Sequence, residues 1–162
     1  MKNSQLQIRV SEAQKKSIQQ AAGLENRDIS SWVLGKLFKS FRVQFLEKIN
    51  LLFEKPSERK YLLADLADFL THLDSEGLRE VLQTAWFAHQ DPFLSNYIAA
   101  MLEFCAHQHQ IPSGNTLSAI EPLNRPYFGT DLKNLRLYLL QASPPPFRAR
   151  NIFIDTSLGG RV

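Results

Sequence analysis

Three side chains near the start of the chain are of types that read nucleic-acid bases. Gln5, Gln7 and Arg9 stand at alternate positions, and Gln can bond adenine, and Arg guanine, through two hydrogen bonds at once. The bland alternative is a solvated polar face. Around them Lys2, Lys15, Lys16, Arg27, Lys36 and Lys39 are candidates to neutralise phosphates. Ser30 and Ser31, at the expected start of a helix, would offer backbone N–H groups to a phosphate. Further on, Cys105, His107 and His109 invite a metal reading. On a helix, residues 105 and 109 share a face but 107 points almost oppositely, and no second Cys or His pair supplies the remaining ligands. The carboxylate pairs Asp65/Asp68 and Glu76/Glu80 have the spacing of solvated helix faces. There is no Gly-rich phosphate loop, nucleophile elbow or zinc-hydrolase signature. No catalytic residue, metal or cofactor is therefore expected, and the chain does not read as an enzyme.

The elements that would position these groups follow from periodicity. Leu6, Ile8 and Val10 alternate with polar residues, as in a strand with one face to bury. At Ser11 the period changes: Ser11 and Gln14 have capping-box spacing, and Ile18, Ala21 and Ala22 carry the apolar stripe of a helix ending near Gly23. After the turn Glu25-Asn-Arg-Asp28, Ser30 or Ser31 is expected to cap a long second helix. Its apolar stripe would run from Trp32 and Val33 through Leu37, Phe38, Phe41, Phe45 and Ile49 to Leu52.

One strand leaves both of its edges unpaired, and so small a unit cannot bury Leu6, Ile8, Trp32 and Leu37 alone. A two-fold dimer with antiparallel strands is the simplest remedy. Over Gln5-Leu-Gln-Ile-Arg-Val-Ser-Glu-Ala-Gln14 and Asn26-Arg-Asp-Ile-Ser-Ser-Trp-Val33 the chain resembles the ribbon-helix-helix DNA-binding family, which includes MetJ and Arc. Within it, the segment looks most like the antitoxin-type regulators. The resemblance covers about a third of the chain. It implies a dimeric domain over residues 1–55, with Gln5, Gln7 and Arg9 reading an operator from the major groove. Asn26 stands where a glycine is common, a mild departure because Asn tolerates a left-handed backbone.

Pro56, in the charged break Lys55-Pro-Ser-Glu-Arg-Lys60, marks the expected boundary with a helical domain over residues 56–162. Leu62, Leu66, Phe69, Leu70 and Leu73 recur at helical spacing. Asp74 or Ser75 restarts a helix, and Asp91-Pro92 is a cap followed by proline at the first helical position. Three antiparallel helices would form a small bundle. Prolines and glycines from Ile111 to Gly129 break the pattern, Thr130 or Asp131 caps one more helix, and Ser143-Pro-Pro-Pro146 predicts an extended tail. In that tail Phe147, Arg148, Arg150, Ile152, Phe153, Ile154 and Arg161 would dock a partner; the alternative is that Phe147, Ile152 and Ile154 close the chain's own core. The ending, from Phe128-Gly through Leu135-Arg to Ser143-Pro-Pro-Pro-Phe-Arg-Ala-Arg-Asn-Ile-Phe-Ile-Asp155, resembles poorly characterised bacterial proteins with a ribbon-helix-helix head. No activity follows from that likeness.

Charge is sharply divided. Residues 1–60 hold 12 Lys/Arg against 6 Asp/Glu, residues 61–121 one against 8, and residues 122–162 six against 2, within a net charge of +3. The basic head suits phosphates, and the acidic middle suits a basic partner. A single cysteine excludes an intrachain disulfide and suits a reducing compartment. No apolar run is long enough to span a membrane, and Met1-Lys-Asn-Ser4 has no signal-peptide core. The expected fold is mainly α: a ribbon-helix-helix head, a small bundle and a Pro-rich tail. The expected function is a cytoplasmic homodimeric repressor of its own operon, an antitoxin whose C-terminal part binds a basic toxin. The alternative keeps the DNA-binding head and makes the helical part a small-molecule sensor, with Trp86, Tyr97 and Tyr127 as possible pocket linings. A third reading places an unrecognised enzyme there.

Overall fold

The computed structural model describes residues 7–37, 40–84 and 91–155. The chain divides into two compact units, residues 1–40 and 41–162. The division falls before the residues 55–60 break, because the helix ahead of Pro56 packs into the larger unit.

In the first unit, α1 (Glu12–Leu24) opens with the full capping box: Gln14 N–H donates to Ser11 Oγ and Ser11 N–H to Gln14 Oε1. Asn26, at φ 51°, turns the chain through the left-handed region that Asn tolerates better than most residues. Helix α2 (Ile29–Leu37) follows, its N-terminus satisfied by Asp28, whose Oδ1 accepts from Ser31 N–H at 2.9 Å. The cap is therefore Asp28 and not a serine.

The expected N-terminal ribbon is not formed. Residues 7–10 are not in a strand, and Leu6 lies outside the described residues. Ile8 and Val10 are 58% and 45% exposed. Alternation supplies a face, but a strand exists only through ladder bonds to a neighbour, and among the described residues 7–10 make none. Among the described residues the strands are two short parallel ones late in the chain. The chain is mainly helical, but its head is not the strand-helix-helix of the ribbon-helix-helix fold. The long second helix is also two: Ser40 is non-helical, and α3 (Phe41–Glu54) begins after it.

The larger unit is built on α6 (Pro92–Gln108). Asp91 caps it by accepting from Phe93 and Leu94 N–H, and Pro92 occupies the first turn, where its missing N–H costs nothing. Every residue from Leu94 to Leu102 is buried, as in a helix enclosed on all sides. Around it lie α4 (Arg59–Thr71), α5 (Ser75–Leu82) and α9 (Pro145–Ala149), with α3 packed on α4 and α5. Phe45, Ile49, Leu52, Leu66, Leu70 and Leu78 are buried at the contacts. A 3-10 turn, Pro56–Glu58, leads into α4, and Arg59 reaches both the Leu52 carbonyl and the Asp91 carboxylate, tying three helix ends together. Of the two expected candidates, Asp74 and not Ser75 caps α5, accepting from Gly77 N–H at 2.8 Å.

Past α6 the chain runs through α7 (Asn115–Ser118), whose Leu117 is buried, to β1 (Tyr127–Phe128), which pairs in parallel with β2 (Ile152–Phe153). Helix α8 (Lys133–Ala142) starts without a side-chain cap; Thr130 Oγ1 instead accepts from Leu132 N–H just ahead of it. The triple proline is not extended throughout. Pro145 begins α9, because proline's fixed φ is already helical at a first position.

Candidate functional site

Of the residues expected to read bases, Gln7 and Arg9 are exposed ahead of α1, and Gln5 lies outside the described residues. Their assignment required a ribbon in the major groove, and with no ribbon formed it is withdrawn. Among the phosphate candidates, Lys15, Lys16 and Arg27 are exposed. Gly35 leaves room for Arg27, whose guanidinium lies 3.1 Å from where a Cβ would stand. Lys36 is engaged within the unit, 2.9 Å from Glu25 and 5.5 Å above the Trp32 ring. Lys36 holds the Glu25 carboxyl below the usual carboxylate range. Ser31 N–H is spent on Asp28, whose own negative charge discourages a phosphate at that helix end. Ser30 is exposed, and Lys2 and Lys39 lie outside the described residues.

The tail residues close the chain's own core. Phe147, Ile152, Phe153 and Ile154 are buried, and Phe147 meets Tyr97 edge-on at 5.4 Å. Arg150, 4% exposed, forms a two-pronged pair with Glu103: Nη2 to Oε1 at 2.6 Å and Nε to Oε2 at 3.1 Å. It also donates to Asn96 Oδ1 and to the Leu117 and Ile120 carbonyls. Five bonds use the full donor set of a guanidinium. Arg148 is exposed and Arg161 lies outside the described residues. The exposed apolar residues of this region lie instead around α8: Leu132, Leu135, Leu137, Tyr138 and Leu140.

A cavity of about 280 Å3 opens between α4, α6 and the tail. Its walls are Leu70, Tyr97, Met101, Cys105, Phe147 and Ile154, all buried, with Ala67 and Phe104 half-buried and Asp68 and Thr71 exposed at the rim. Helical spacing assembles it: Ala67 and Thr71 are one turn apart on α4, and Tyr97, Met101 and Cys105 recur every four residues on α6. Burial pushes the Tyr97 hydroxyl up to about 12 and the Cys105 thiol up to about 11, so both are neutral near pH 7. Tyr97 is the one expected lining residue found here. Trp86 lies outside the described residues, and Tyr127 packs on Phe93 at 4.4 Å. Asp68, read from spacing as half of a carboxylate pair, also borders a second hollow with Asp65 and Lys48, where Asp65 bonds Lys48.

Cys105 is buried, His107 is exposed, and His109 Nδ1 lies 3.3 Å from Ser75 Oγ. Among the described residues no group of three His, Cys, Asp or Glu could hold a metal ion. Nor is any helix among them long and apolar enough to cross a membrane. No protein-family model, curated protein or solved structure matches the chain.

Proposed function

We propose that the chain is a DNA-binding regulator whose first unit contacts the duplex and whose larger unit receives a controlling partner. The observation that carries this is charge: residues 1–40 hold 7 Lys/Arg against 3 Asp/Glu, and residues 61–121 one against 8. A basic head gains affinity from counterion release at phosphates, and an acidic segment is repelled by them. Lys15, Lys16 and Arg27 are the contacts. Self-association is the second part of the reading. Among the described residues of the first unit only Ala22 is a buried apolar side chain, whereas Ile8, Val10, Leu24 and Ile29 are exposed. Association with a second copy would cover such surface.

For the larger unit the partner is a basic protein, of the toxin type in an operon that the chain itself represses. Its acidic middle supplies charge complementarity, and the exposed side chains around α8 supply apolar contact area. The setting is the cytoplasm, which suits one free thiol. A second reading, control by a small molecule, is favoured by the cavity at Tyr97.

The test is fluorescence anisotropy of the full chain on its own upstream duplex and on a scrambled one, between 50 and 200 mM salt, with circular dichroism as the folding control. Selective binding that weakens steeply with salt is expected. The triple reversal Lys15→Glu, Lys16→Glu and Arg27→Glu should weaken it by at least about 100-fold. Undiminished binding by the folded triple variant would refute the assignment of the first unit.

A further inference from the structure

We propose that the cavity between α4, α6 and the tail binds a small arylalkyl amine, with its ring among the apolar walls and its ammonium at Asp68 and Thr71. The inference deepens the small-molecule reading by naming a ligand class, and it holds whether or not the chain binds DNA.

Size comes first. An apolar cavity of roughly 150 Å3 is enough for benzene, so about 280 Å3 accommodates an aromatic ring with a short chain. The walls offer an aromatic edge from Tyr97 and Phe147, and the polarizable sulfurs of Met101 and Cys105; both suit a ring.

The rim decides the head group. Thr71 Oγ1 donates its single proton to the Ala67 carbonyl at 2.7 Å, so toward the cavity it can only accept. Asp68 is likewise an acceptor, and no described cation pairs with its carboxylate. Lys48, the nearby ammonium, is bonded to Asp65 and lies over the Phe69 ring. No cation lines the cavity. A rim of acceptors carrying one negative charge favours a ligand that brings donors and positive charge, and disfavours a carboxylate.

The experiment needs no DNA. Phenethylamine, 2-phenylethanol and phenylacetate would be titrated into the full chain by calorimetry at neutral pH. In parallel, alkylation of Cys105, the chain's one cysteine, reports occupancy at the cavity itself. Phenethylamine should bind about three- to tenfold tighter than 2-phenylethanol, a modest factor because Asp68 is solvated. Phenylacetate should bind weakest, and phenethylamine should slow Cys105 alkylation. Asp68→Asn should erase the preference for the amine while keeping 2-phenylethanol binding. Ala67→Phe, which fills the cavity from its half-buried edge, should abolish binding of all three. Equal binding of amine, alcohol and acid would overturn the proposal, as would no binding, an amine preference that survives Asp68→Asn, or an alkylation rate indifferent to phenethylamine.

Discussion

Arg150→Met is expected to destabilise the chain by about 3–5 kcal/mol, measured as a shift in the urea unfolding midpoint. The loss comes from what remains behind. Glu103 would keep a carboxylate with neither guanidinium prong, Asn96 Oδ1 and the Ile120 carbonyl would lose their Arg150 donor, and the Leu117 carbonyl would be left with the Ile120 N–H. An interior acceptor without a partner retains its desolvation cost and gains nothing in return. Arg150→Lys should rescue little, since an ammonium has three donors and no planar fork for a two-pronged pair with a carboxylate. Asn96 amplifies the effect, because its Nδ2 donates to the Pro92 and Glu121 carbonyls. One residue from the tail therefore holds the start of α6 and the segment after α7 in register. A loss under about 1 kcal/mol would mean that the guanidinium behaves as a surface group.

Phe147→Ala should cost about 3–5 kcal/mol, whereas Arg148→Ala, one residue on, should stay within about 0.5 kcal/mol. Phe147 is 3% exposed and packs edge-on against Tyr97 of α6. Arg148 is exposed on the same short helix. The contrast separates two roles for the tail. An anchor held out for a partner could be truncated without loss to the free chain, and a residue that closes the chain's own core could not. Equal, small effects at both positions would return the tail to a docking role.

The caps were the most legible part of the sequence because they are local. Ser11 with Gln14, Asp74, and Asp91 with Pro92 each need only a side-chain oxygen and N–H groups two or three residues on, so spacing alone identifies them. Asn26 was legible for the same reason. What failed depended on partners distant in sequence. Leu6, Ile8 and Val10 have the period of a strand, but no periodicity can supply the neighbour that makes one. The stripe from Trp32 to Leu52 reads as one helix because apolar spacing continues across Ser40, yet Phe45, Ile49 and Leu52 belong to the core of the larger unit. Pro144 to Pro146 read as extended because proline fixes φ but not ψ, and the same φ serves a polyproline segment or the first turn of a helix. Arg150 looked like one more exposed cation in an Arg-rich tail. Its partner Glu103 is 47 residues away, and nothing in either neighbourhood announces the pairing. Tyr97 was legible as a pocket lining, but the acceptor character of Thr71 rests on which carbonyl its hydroxyl faces, and that is visible only in the fold.

Hydrogen–deuterium exchange of the full chain, with and without its upstream duplex, tests the central claim most directly, because it reports which unit meets DNA. The account predicts slower exchange in α1 and α2 on adding the duplex, no change in α4, α5 and α6, and loss of the protection at high salt. Protection in α4 to α6 with α1 and α2 unaffected would contradict it and assign nucleic-acid contact to the larger unit.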